Sequence, residues 1–298
     1  MYIIDFFKKV ARKSNIPVII YLVLNTLIIT FVFYFFACAN TEFNPMVIIF
    51  GIMAYMISLM IALSPFGEWV LRFQTGCHKI KDEEQLAYIE PIFREVYRNA
   101  QRLDPEVPDD VELFINHDQV PNAFATGRKT ICITEGLLQM PVGQIKATLA
   151  HEFGHLAHKD TDLILVVCVG NMIVSGIILG IRIFIEILHI VLSIVSIIWG
   201  GSEGLTARIA SAVYHLLLSV SVSVLSYAWT KLGILLVMKS SRENEFEADE
   251  FAYDLGYGNE LCALLSTIKG TPSTGLFANL ASSHPDNELR IQRLQELR

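Results

Sequence analysis

Residues 151 to 155 of this chain read HEFGH. Two histidines four positions apart on a helix lie one turn apart and face the same way, so both imidazoles can reach one zinc ion. Glu152 projects beside them, where a carboxylate can take a proton from an attacking water. The spacing is that of H-E-x-x-H, and the chemistry it suits is zinc-assisted hydrolysis. Leu149, Phe153 and Leu156 fall on the same helix as core positions, which leaves the polar residues as a separate face. A buried cluster of two histidines and a glutamate without metal would be costly to leave unpaired.

Two ligands do not complete a catalytic zinc site; a third protein donor is needed, with the fourth position left for water. His158 lies only three residues beyond His155. The pattern with a third histidine six positions on meets Thr161 here, so that class is not expected. A better donor lies far downstream, in ENEFEADEF at 243 to 251. Glu245 and Asp249 stand at i and i+4 and share one helical face. Glu245 can ligate zinc, and Asp249 can hold the free ring nitrogen of a ligand histidine. The competing reading is an acidic solvated helix with Glu243, Glu245, Glu247 and Glu250 all exposed.

The elements that must position these groups follow from periodicity. Residues 82 to 103 read as a helix, with Leu86, Ile89, Ile92, Phe93 and Val96 at helical spacing and Pro105 and Pro108 after it. VELFINHD at 111 to 118 reads as a strand. NAFATGRK at 122 to 129 and TICITEGLL at 130 to 138 read as a strand, a turn at Gly127, and a strand leading into a helix. The next helix starts after Pro141 and carries the HEFGH segment.

The rest of the 298-residue chain is unusually apolar. Hydrophobic residues make up 53% and charged residues 18%, with a mean hydropathy of +0.46. The apolar residues are bunched into runs that reach the ~18 to 20 residues a spanning helix needs. One extends from about Val18 to Ala39 behind Lys8, Lys9, Arg12 and Lys13. It is too long for a signal-peptide core. A second, Met46 to Leu63, follows at once, so residues 1 to 69 read as a transmembrane hairpin turning at residues 40 to 45. Lysines and arginines flank it on both sides while the turn carries only Glu42, which puts the N-terminus and residues 70 to 160 in the cytoplasm. Residues 163 to 199 are apolar except for Arg182, Glu186 and His189; as one helix they would be about 55 Å long. Residues 200 to 204 form a turn, and a further apolar run covers 209 to 237. The net charge of -7, without a basic patch, gives no sign of nucleic-acid binding. The five cysteines lie far apart with no C-x-x-C, so neither a disulfide framework nor a structural zinc knuckle is expected.

These segments together resemble the M48 peptidases, and among them the HtpX-like membrane metalloproteases. The resemblance rests on the paired N-terminal spans, NAFATG at 122 to 127, TEGLL at 134 to 138, HEFGH, Asp160, the apolar insertion, ENEFEAD at 243 to 249 and SHPDNELRI at 283 to 291. It implies His151, His155 and Glu245 as ligands of one zinc ion, Glu152 as catalytic base and Asp249 as supporting carboxylate. It implies that Asn122, Ala123, Phe124 and Ala125 form the strand edge on which a peptide substrate aligns. His284 and Arg290 match a histidine and an arginine near the site, either to stabilise an oxyanion or to hold neighbouring carboxylates. The substrates it implies are misfolded or damaged membrane proteins in a bacterial envelope, with one dedicated membrane substrate as the alternative. The middle apolar stretch is longer than the family's usual third span.

Topology adds a constraint. Glu245 must reach the same zinc as His151, so an even number of crossings separates them, and four spans in all satisfy this. The expectation is an α+β zincin-like domain, built of an active-site helix and a small antiparallel sheet, with four transmembrane helices. Residues 70 to 161 and 239 to 298 form its cytosolic catalytic parts, and residues 162 to 238 form a transmembrane hairpin insertion. It would sit multi-pass in an inner or plasma membrane, with polypeptides and the lipid bilayer as its partners. A catalytically inactive scaffold of the same fold would lack Glu152 or Glu245, and both are present. A transporter built on Arg182 and Glu186 leaves the H-E-x-x-H helix unexplained.

Overall fold

The computed structural model describes residue 6, residues 16–38, 44–172, 205–267 and 287–297, and isolated positions between 176 and 194. Two apolar cores divide the work. One gathers the sheet and the helices packed on it around Phe93, Phe153, Leu149 and Ile133. The other gathers the apolar N-terminal helices and the segment after the HEFGH helix around Tyr21, Leu59, Leu71 and Val167.

The apolar half begins with α1 (Ile16–Cys38) and α2 (Pro45–Ala62). Asn44 caps α2, its side chain accepting from Met46 N, with Pro45 opening the helix. Among the described residues α2 is the one helix long and apolar enough to cross a membrane, at 18 residues with a mean hydropathy of 2.2. The turn expected at residues 40 to 45 and the one at 200 to 204 lie almost wholly outside the described residues, as does Arg182. After α2 the chain turns directly into α3 (Pro65–Gln74).

The second half opens with α4 (Glu83–Leu103), capped by Asp82, whose carboxylate accepts from Glu84 N and Gln85 N. Its buried stripe is Ile89, Ile92, Phe93, Val96, Tyr97 and Ala100. Leu86, read with that stripe, is exposed. The strands are β1 (Glu112–Asn116), β2 (Ala123–Thr126) and β3 (Thr130–Thr134), in the order β1-β3-β2. β2 and β3 form the expected antiparallel pair, and Gly127 takes a φ of 67° in the turn between them. β1, however, pairs parallel to β3. The sheet is therefore mixed, where an antiparallel one was expected. The cause lies in residues 117 to 122. Asx contacts from Asn116 Oδ1 to Asp118 N and from Asp118 Oδ1 to Val120 N wind the chain through a reversal. The loop steps over one strand position, and β3 then fills the gap.

The short helix α5 (Glu135–Leu138), capped by Thr134, leads to α6 (Val142–His158), the helix of the HEFGH segment. Phe153 of α6 stacks on Tyr97 of α4 with ring centroids 5.2 Å apart. Lys159, at φ 58°, ends α6 in a left-handed turn, and α7 (Thr161–Leu165) follows. Residues Val166–Gly170 widen into a π-turn, and Ser58 Oγ donates to Gly170 O at 3.4 Å.

Helix α8 runs unbroken from Leu205 to Asp254, 50 residues. The apolar run, assigned to an insertion ending at residue 238, and the ENEFEAD segment, assigned to the catalytic part from residue 239, share one axis. A buried polar cluster steadies this helix among its apolar neighbours. Trp229 Nε1 donates to Asn25 Oδ1 (3.2 Å), and Asn25 Nδ2 donates to Tyr55 Oη (3.0 Å) and Asn171 Oδ1 (2.6 Å). Each of these groups is paired, as polar atoms in apolar surroundings must be. Helices α9 (Gly258–Thr267) and α10 (Asn287–Glu296) close the core around Phe93 and Phe153. Cys77, Cys132 and Cys168 are buried free thiols.

Candidate metal centre

Helix α6 delivers His151 and His155 to one spot because four residues make slightly more than one turn. Both are buried, and their Nε2 atoms lie 3.2 Å apart with the rings nearly perpendicular. Glu245 of α8 reaches across to them. Its Oε2 lies 3.5 Å from His151 Nε2 and its Oε1 3.4 Å from His155 Nε2. A tetrahedral ion with bonds of about 2.0 to 2.1 Å sets neighbouring donors about 3.3 Å apart, so the spacing of these three groups fits zinc. Among the described residues they form the one cluster of three such donors that could hold a metal ion.

Each imidazole is oriented by a carboxylate on its far nitrogen. His151 Nδ1 lies 2.9 Å from Asp249 Oδ1, and His155 Nδ1 lies 2.9 Å from Asp160 Oδ2. Such contacts fix the ring so that Nε2 faces the metal. The sequence pointed to Asp249 for this position. Asp160 it noted as part of the resemblance, without a task. Asp160 reaches His155 because the left-handed turn at Lys159 folds the chain back, and Asp160 N donates to His155 O.

Arg290 of α10 is buried against these groups, with Nε and Nη2 donating to the two oxygens of Asp249 at 2.7 and 2.6 Å. Its Nη1 lies 3.8 Å from Glu245 Oε2. Of the two tasks open to it, the geometry places the guanidinium on the carboxylates. His284 lies outside the described residues.

The electrostatics follow from burial and charge. Burial raises the Asp249 carboxyl, but the Arg290 fork and His151 outweigh it and hold it at about 2. Burial presses His151 and His155 downward, yet the carboxylates around them prevail. For His151 these are Asp249 and Glu245; for His155 they are Glu245 and Asp160. Both imidazoles are lifted above their ordinary value, His155 by more. The pocket is thus strongly electronegative, suited to a divalent cation.

Glu152 is buried beside its neighbours, and its Oε2 accepts from Ala125 N at 2.8 Å. That bond ties the HEFGH helix to the β2 edge. Ala123, Phe124, Ala125 and Thr126 lie in register with Ile133, Cys132, Ile131 and Thr130 of β3, and β2 is one of the two outer strands of the sheet. Asn122 N donates to Thr134 Oγ1, which fixes the start of the edge.

Gly154 explains how α8 comes near enough for Glu245 to reach the histidines. A Cβ there would meet Ala248 Cα at 2.9 Å and Phe251 Cβ at 3.1 Å. Reading the motif as H-E-x-x-H treated this position as free. Its signal, a glycine inside a helix, is visible in the sequence, but the partner helix is not. Gly154→Ala should push α8 outward and weaken zinc binding by about tenfold, in the range of losses seen when a ligand's support shifts. Competition with a chelator of known affinity measures this; unchanged affinity would show that the crossing adapts.

Residues 83–298 match the family model described as Peptidase family M48. Among curated proteins, the chain is 28% identical over 272 residues to Protease HtpX of Idiomarina loihiensis, covering 84% of this chain and 85% of that protein. It is 27% identical over 270 residues to Protease HtpX of Shewanella frigidimarina, covering 83% and 85%. The crystal structure of S. mikatae Ste24p superposes with a TM-score of 0.40 at 17% identity, covering 91% of this chain and 62% of that one. A score that low does not establish a common fold.

Proposed function

The chain belongs to peptidase family M48, with HtpX-like proteases among its relatives, and from that premise we propose that it is a membrane-bound zinc endopeptidase. His151, His155 and Glu245 hold one zinc ion, and Glu152 is the catalytic base. The observation that carries this reading is the meeting of three donors from two distant helices at zinc spacing, with a carboxylate beside them. When bound, zinc makes water more acidic and polarises the carbonyl under attack. The rest falls to the chain. Glu152 takes the proton of the attacking water at its carboxylate and returns it to the departing amine nitrogen. The Ala125 amide holds one oxygen of Glu152, leaving the other to meet the water. Asp249 and Asp160 keep the two imidazoles in the tautomer that presents Nε2, and Arg290 balances the charge of Asp249.

The substrate is an extended polypeptide laid along the outer edge of β2, residues 122 to 125. Backbone pairing of this kind makes little demand on sequence. This suits turnover of misfolded or damaged membrane proteins. The chain crosses the bilayer four times, through residues 1 to 69 and 162 to 238, with the catalytic parts on the cytoplasmic side. The flanking lysines and arginines and the apolar α2 support that topology.

Purified in detergent, the protein should carry about one zinc per chain, in line with a three-ligand catalytic site. Stripping the metal with a chelator should stop cleavage of an unfolded polypeptide, and added zinc should restore it. Cleavage that survives complete metal removal would refute the reading.

A further inference from the structure

Helix α3 is amphipathic the wrong way round for a helix facing water. Its exposed positions are Pro65, Phe66, Trp69 and Phe73, all apolar. Phe66 and Trp69 are more than half exposed and Phe73 is 77% exposed. At spacings of three and four residues they lie on one face. They also touch in sequence, Phe66 to Trp69 at 5.7 Å and Trp69 to Phe73 at 6.2 Å between ring centroids.

The charged residues of α3 point into the protein. Glu68 is 2% exposed, and its Oε1 accepts from Arg128 N at 2.7 Å. Arg72 Nη1 donates to Thr130 Oγ1 at 2.9 Å, and its guanidinium lies over the Phe114 ring. An interfacial helix ordinarily gives its polar face to water and its aromatic face to lipid. Here the polar face is given to the turn joining β2 and β3.

The aromatic row continues the exposed apolar surface of α2. In α2, Met53, Met56, Ile57 and Met60 are exposed, and α3 starts three residues after α2 ends. The two helices are locked at a close turn, where a Cβ on Gly67 would stand 2.0 Å from Ala62 O. Whatever solvent covers α2 therefore meets α3 at its boundary. Tryptophan and its aromatic neighbours favour that boundary.

We propose that α3 lies in the interfacial layer of the bilayer with Phe66, Trp69 and Phe73 in lipid, and that it thereby holds the β2 edge at the membrane surface, so that the preferred substrates are extended segments emerging from the bilayer. The lipid contact stands on α2 being a span. The substrate preference rests in addition on the peptidase reading above and deepens it. The link from lipid to edge is short: aromatic face, then Glu68 and Arg72, then Arg128 and Thr130, then β2.

Two measurements on the full-length protein in phosphatidylcholine vesicles test this. The first needs no catalysis, so it can fail or succeed independently of the peptidase reading. The emission lost on Trp69→Phe isolates the contribution of Trp69. That contribution should be quenched about twofold or more strongly by lipids brominated near the headgroup than by lipids brominated near the bilayer centre, and weakly by aqueous iodide. Strong iodide quenching would mean a water-facing helix. Protection from both quenchers would mean that a second copy or another protein covers the face. Either result overturns the proposal.

The second measurement uses the double variant Trp69→Gln, Phe73→Gln. Its rate on a membrane-anchored peptide in vesicles, divided by its rate on an unfolded soluble chain in detergent, should fall about tenfold relative to the parent protein. An unchanged ratio would overturn the substrate preference.

Discussion

Glu152→Gln is expected to keep its zinc and lose its cleavage. Glutamine has nearly the shape of glutamate, and its side-chain oxygen can still accept from Ala125 N, 2.8 Å away in the parent protein. The three proposed metal donors, His151, His155 and Glu245, are untouched. What glutamine cannot do is take a proton from water. General-base catalysis contributes roughly 10² to 10⁴-fold, so a loss of about 10³-fold in kcat with a small change in KM is the expected outcome. Zinc content by mass spectrometry of the purified variant and hydrolysis of an unfolded polypeptide measure the two halves. Wild-type cleavage would remove Glu152 from the mechanism. Loss of zinc together with activity would instead make it part of the metal's support.

The same side chain shows how far the sequence could be read. Local spacing was enough to place His151, Glu152 and His155 together, because a helix fixes the relation of residues four apart with no help from the rest of the fold. It was also enough to put Glu245 and Asp249 on one face. The turn at Gly127 and the helix over residues 82 to 103 were legible for the same reason. Contacts between elements were not. Nothing in the order of residues 111 to 134 says that β3 inserts between β1 and β2, since strand order is decided by where the loop at 117 to 122 can lead. The helix from Leu205 to Asp254 hid its continuity because its composition changes sharply near Lys239 while its backbone does not. The Ala125 amide facing Glu152 is invisible to any motif, as a backbone donor has no letter of its own. Asp160 has a letter, but its use depends on the backward turn at Lys159.

These limits bear on the residue that sequence spacing supports least and geometry most. Glu245 stands 90 positions beyond His155, and an acidic surface helix was a fair competing account of its surroundings. In the fold it is 4% exposed and lies within 3.5 Å of the Nε2 atoms of His151 and His155. Glu245→Ala is therefore expected to reduce zinc affinity by more than about 100-fold, beyond the 10 to 100-fold loss typical when only a supporting contact is removed. Asp160→Asn supplies the comparison, since it disturbs the orientation of His155 and leaves all three donors in place; it should fall inside that lower range. Arg290 remains paired with Asp249 in the Glu245 variant, so the protein should still fold and present two histidines to the metal. Chelator competition on both variants gives the two affinities. If Glu245→Ala binds zinc as tightly as Asp160→Asn, Glu245 is a neighbour of the metal and the third ligand lies elsewhere. If the alanine variant loses zinc while a high zinc concentration restores part of its cleavage, Glu245 acts by holding the ion, and the proton transfer at Glu152 proceeds without it.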